Sequence, residues 1–125
     1  HSARHATSSR RTLPRWRVGA RGVGGRAPGR TGSVGGRALE CDRETGVRGV
    51  NAALAAAAGQ APLEGIMQYT EDPIVSSDIV QSPFSCIVDS LLTAVVDSTM
   101  LKVVAWYDNE WGYSNRLVDL VARVL

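Results

Sequence analysis

At 125 residues the chain has material for one hydrophobic core and one domain. Its net charge of +2 hides a split: residues 1–50 carry eleven Arg against three acids, and residues 51–125 carry three basic against nine acidic side chains. Cys41 and Cys86 make no disulfide framework or metal-ligand spacing, no apolar run reaches membrane-spanning length, and the Arg-rich start lacks the apolar core of a secretory signal, so a metal centre, a membrane span and secretion are not expected and a reduced, cytoplasmic compartment is.

Residues 1–37 are mostly Arg, Gly, Ser and Ala, with Leu13, Trp16, Val18, Val23 and Val34 as their only sizeable apolar groups. Such a composition buries too little apolar surface to offset the entropy of ordering, so this third is expected to be poorly ordered or extended. Its charge suits polyanions in general, but a single stacking candidate, Trp16 between Arg15 and Arg17, predicts no specific nucleic-acid site. Gly22-Val23-Gly24-Gly25-Arg26-Ala27 fits the loose dinucleotide pattern. That pattern should open a helix, and Pro28-Gly29 breaks one, so the stretch is rejected as a cofactor loop.

From residue 38 the pattern becomes that of a folded domain. Residues 51–58 are an alanine-rich helix with Gly59 as its stop. Residues 66–69 and 74–75 read as short strands around the Glu71-Asp72-Pro73 turn, and residues 84–92 and 101–106 as the next two, joined through Asp97-Ser98-Thr99. Beyond the last strand comes a polar corner, where Asp108 or Asn109 can accept hydrogen bonds from the first N–H groups of a helix, with Glu110 in its first turn. Leu117, Leu120, Val121 and Val124 then fall on one helical face, and Arg123 lies in the last turn. Strands following one another through short turns predict an α+β fold: a largely antiparallel sheet, helices packed on one face, and a C-terminal helix. The division expected is a degraded Arg/Gly-rich segment, 1–37, and a domain portion, 38–125.

The run Trp106-Tyr107-Asp108-Asn109-Glu110-Trp111-Gly112-Tyr113-Ser114-Asn115-Arg116 closely resembles a C-terminal signature of the phosphorylating glyceraldehyde-3-phosphate dehydrogenase family. Residues 65–72 and 74–78 are further family segments, and the resemblance continues from Val50 to Leu125. Leu13-Pro14, Gly22, Arg26, Pro28, Thr31-Gly32-Ser33-Val34, Glu40, Arg43-Glu44-Thr45 and Val47 keep the same register upstream, with Arg or Gly between them where the family has apolar and acidic residues. The chain thus resembles the C-terminal part of the catalytic domain.

The resemblance implies oxidation of glyceraldehyde-3-phosphate through a cysteine thiohemiacetal, with hydride passing to NAD and phosphate releasing the acyl group. It also implies a glycolytic homotetramer. Two cofactor-binding positions map onto this chain: Asn109, matching the asparagine that orients the nicotinamide carboxamide, and Tyr113, matching a tyrosine near that end of NAD. Arg26 matches the arginine that holds substrate phosphate, whose forked donors suit that anion. Each has a plainer reading: a helix cap for Asn109, a core aromatic for Tyr113, a chance match among eleven Arg for Arg26. The neighbouring phosphate loop would fall at Ser2-Ala3-Arg4, without its threonine and glycine.

No catalytic residue is assigned. The family nucleophile lies in a Ser-Cys-Thr-Thr-Asn run, whereas this chain has Ser85-Cys86-Ile87-Val88-Asp89, well past that position. Cys86 reads as a small buried thiol with no base beside it and with Asp89 opposing its ionisation. His1 and His5 do not match the family base, and neither the NAD glycine loop nor its ribose-binding acid occurs in this sequence. Two functions are therefore carried forward. One is a dehydrogenase portion inactive by itself. The other is a non-catalytic product whose basic tail associates with full-length subunits or polyanions.

Overall fold

The computed structural model describes residues 23–25 and 33–125. Its elements in chain order are β1 (Val23–Gly25), β2 (Ser33–Glu40), α1 (Val47–Ala58), β3 (Met67–Thr70), α2 (Ser76–Ile79), β4 (Cys86–Asp89), a 3-10 turn (Ser90–Leu92), β5 (Ala94–Val96), β6 (Met100–Tyr107) and α3 (Trp111–Val124). All six strands join one sheet in the order β1-β2-β6-β4-β3, with β5 also on β6. Four pairings are antiparallel and one, β3 with β4, is parallel. The fold is α+β with a largely antiparallel sheet, as expected.

β6 is the hub. It buries Leu101 on one face of the sheet and Val104 on the other, and β2 pairs along its whole length, from Ser33 opposite Tyr107 to Glu40 opposite Met100. β4 and β5 share its other edge. Ile87 faces Trp106 and Ala94 faces Lys102, so the register slips by three residues, the length of the 3-10 turn between them. The strand expected over 84–92 is thus only Cys86–Asp89, followed by the 3-10 turn, and β5 lies beyond it at Ala94–Val96. The break comes where Asp89 turns its carboxylate back to accept the Leu91 N–H at 3.1 Å, a local bond that competes with the ladder.

Three further expectations are corrected. The first helix starts at Val47, four residues early, because Val47, Val50 and Leu54 share a face and Val50 is buried there. Residues 74–75 are not a strand. They lead into α2, and this crossover is what lets β3 and β4 run parallel. Glu110 precedes α3 as its cap position and is not in the first turn.

The core is small. Cys41, Val50 and Leu101 form a buried cluster, with Leu39, Leu54, Val95 and Val103 packed against it. Ile79, Ile87, Val88 and Val104 are also buried. Helix α3 stands apart: Gly112 is its only buried residue, while Leu117, Leu120, Val121 and Val124 are exposed.

Within the segment 1–37, the parts described are paired, extended strand, and β2 runs straight through the compositional boundary at residue 38. Arg26, Trp16, His1, His5 and residues 2–4 lie outside the described residues, as does the rest of the expectation about 1–37.

Candidate functional site at the start of the last helix

Strand β6 ends at Tyr107, and residues 108–110 turn the chain into α3. The sequence allowed two capping residues at this corner, and the structure uses Asp108. Its Oδ1 accepts the Glu110 N–H at 2.9 Å and the Trp111 N–H at 2.8 Å. Its Oδ2 accepts the Gln81 N–H at 2.9 Å, from the bend that follows α2. These donors favour the ionised form, so the bonds from Trp111, Gln81 and Glu110 together hold the Asp108 carboxyl below the usual carboxylate range, although burial opposes them more strongly than either the Gln81 or the Glu110 bond alone favours ionisation. The Trp111 bond has the largest effect.

Asn109 sits in the turn itself and is exposed. No hydrogen bond among the described residues ends on its side chain, so its amide keeps both a donor pair and an acceptor for something else. Tyr113 follows one turn later and is 67% exposed, which removes its reading as a core aromatic. Trp111 beside it is 47% exposed. The corner therefore presents an amide with no partner among the described residues and, one turn on, an exposed tyrosine ring.

The first turn of α3 is fixed from below. Gly112 packs so closely on the residue 84–85 backbone that a Cβ there would lie 2.6 Å from the Phe84 carbonyl oxygen. One turn on, Arg116 donates to Ser85 Oγ at 3.4 Å and to Asp119 Oδ2 at 2.8 Å. Beneath the corner, the indole N–H of Trp106 donates to buried Asp89 at 3.0 Å. An open cleft of about 690 Å³ is lined by Pro62, Glu64, Ile66, Arg116, Asp119 and Arg123, but neither Asn109 nor Tyr113 lines it.

Cys86 begins β4, half-buried, and burial pushes its thiol up from the ordinary value. A thiol held protonated is a poor nucleophile, which agrees with its reading as a packing residue, although desolvation and not Asp89 is the cause. Among the described residues no three metal-ligating side chains come together. No helix among them is long and apolar enough to cross a membrane.

The family model for the glyceraldehyde 3-phosphate dehydrogenase C-terminal domain matches residues 1–109. The chain belongs to that family. Glyceraldehyde-3-phosphate dehydrogenase 2 of Streptomyces avermitilis is 50% identical over 112 residues, 90% of this chain and 33% of that protein. The Mycobacterium avium dehydrogenase is 57% identical over 99 residues, 79% of the chain and 29% of that protein. Dehydrogenase 3 of Nostoc sp. is 48% identical over 103 residues, 82% and 31% respectively. The chain spans about a third of the length of the curated relatives it matches. The match begins at residue 1 and so takes in the Arg-rich segment.

What sequence reasoning missed was the second half of the clamp. Asp108 is legible as a cap, but nothing in Gln81 announces that its backbone N–H would meet it. The Asp89–Trp106 pair was equally hidden, since it joins two strands whose register only the fold sets.

Proposed function

We propose that this chain is the C-terminal portion of the catalytic domain of a cytoplasmic, glycolytic, NAD-dependent glyceraldehyde-3-phosphate dehydrogenase, and that alone it does not turn over. Asn109 orients the nicotinamide carboxamide, Tyr113 packs beside it, and Arg26 holds the substrate phosphate. The observation that carries this reading is the exposed Asn109 amide, left out of helix capping by Asp108 and set one turn from Tyr113. An amide pairs with a carboxamide through one donor and one acceptor, so the residues present fit the nicotinamide end. NAD, when bound, supplies the hydride acceptor. This chain's own contribution is orientation: it holds the ring end of the cofactor and, through Arg26, the anionic end of the aldehyde. The reading places 1–37 as a degraded start and 38–125 as the domain portion, within a homo-oligomer.

The chemical step needs nucleophile, base and nicotinamide held together in reacting geometry. The test is formation of reduced nicotinamide from aldehyde, NAD and phosphate by the purified chain. No turnover is expected alone, and turnover is expected once an N-terminal dehydrogenase fragment is added. Asn109→Ala should then raise KM for NAD roughly tenfold, the worth of one to two lost hydrogen bonds. Turnover by the chain alone that disappears in Cys86→Ser would show the active site to lie elsewhere.

A further inference from the structure

Asp108 binds more than a helix cap requires. Capping uses Oδ1, which takes both free N–H groups of the corner. Oδ2 reaches back 27 residues to the Gln81 N–H. Gln81 is in the left-handed region at φ 65°, where a residue with a Cβ is held only by its surroundings. On its N-terminal side the bend is rooted in the core by Ile79, 1% exposed, whose carbonyl accepts the Ser82 N–H at 3.0 Å. One carboxylate thus joins the residue 79–82 bend to the last turn before α3, and Asn109 is the residue between its two corner bonds and the strand.

We propose that Asp108 is a positioning residue for the cofactor amide: by tying the 108–111 corner to the Gln81 bend it fixes the direction in which Asn109 is presented. The role rests on the nicotinamide reading above. Without the Gln81 bond the corner keeps its cap, and its ends stay held by β6 and by Gly112 on Phe84, but the turn between them loses its tie to the 79–82 bend. The Asn109 backbone then samples several conformations, and cofactor affinity falls because the one that aims the amide correctly is populated only part of the time.

The test is an amide-resolved NMR titration of the complete 125-residue chain from neutral to acid pH, as wild type and as Asp108→Asn. The substitution leaves an oxygen for the cap and turns an NH₂ toward Gln81. The other carboxylates on the elements that meet here are Asp78 of α2, Glu110 at the corner and Asp119 of α3, and Asp108→Asn separates their titration from that of Asp108. In the wild type the Gln81, Glu110 and Trp111 backbone signals and the Asn109 side-chain signals are expected to move with one common midpoint. In Asp108→Asn that transition vanishes from all four, while the amides of residues 117–121 stay in place. Asn109 signals indifferent to both pH and substitution, or random-coil shifts at Gln81 and Trp111 throughout, overturn the proposal.

A second arm supplies the N-terminal two-thirds of the Streptomyces avermitilis relative and adds NAD. Displacement of the Asn109 side-chain signals is expected in the wild type, and at least threefold more NAD should be needed in Asp108→Asn. Equal NAD dependence in the two overturns the positioning role alone. No response of Asn109 to NAD in the wild type overturns the nicotinamide reading, and the role with it, whatever the titration shows of the clamp.

Discussion

Gly112 is the residue with least latitude at the site. An added Cβ would lie 2.6 Å from a backbone oxygen, which cannot swing away as a flexible side chain would. Gly112→Ala must therefore lift α3 off Phe84, and a loss of about 1–3 kcal/mol is expected in urea unfolding, the usual range for overpacking. An unchanged midpoint would mean that the helix start moves freely. Asp108 gives a prediction in pH. Its folded carboxyl titrates below the unfolded one, so the stability it adds is complete above the unfolded value, about 3.9, and is lost as pH falls through the folded value. The wild type should thus lose more stability below about pH 4 than Asp108→Ala does, and parallel acid-unfolding curves would refute it. These roles were unevenly legible. Both Asp108 and Asn109 are residues that cap helices, so sequence pattern alone could not divide cap from free amide between them. The Gln81 bond, made by a backbone group, left no trace in residue type.

At the scale of elements, α3 was legible in its apolar face, because its spacing is a local property. What lies against that face is not local. Leu117, Leu120, Val121 and Val124 are exposed in this chain, though the same spacing would ordinarily mark a buried stripe. Leu120→Lys should therefore change unfolding free energy by less than about 0.5 kcal/mol, as at an ordinary surface position. Leu101→Ala, at 2% exposure in the hub strand, should cost about 2–5 kcal/mol. Comparable losses from the two substitutions in a denaturant series would show that α3 packs on something within the chain. Two of the elements misread from sequence were short ones. α2 spans four residues, too few to show a period, and the break after β4 depends on a side chain bonding its own backbone.

At the scale of the molecule, the largely antiparallel sheet was legible because apolar runs and turn residues alternate along residues 66–107. The parallel pairing of β3 with β4 was not, since it needs the crossover through α2 to be seen. The Arg-rich composition before residue 38 also hid β2, whose glycines and arginine read as loop yet pair with β6 residue for residue. That pairing has a consequence for biosynthesis. β6 receives β2, β4 and β5, and it is the last strand to be made. While residues 33–96 emerge from a ribosome, each of these three strands waits with a bare edge, and β2 waits longest. Unpaired edges recruit other chains, so the nascent protein is most prone to association just before residues 100–107 emerge. Arrested chains ending at Val96 should bind a holdase chaperone strongly and show a weakened sheet signal in circular dichroism, since only the β1–β2 and β3–β4 pairs are available to them. Release as far as residue 107 should end both, all three strands docking at once on the arrival of a single segment.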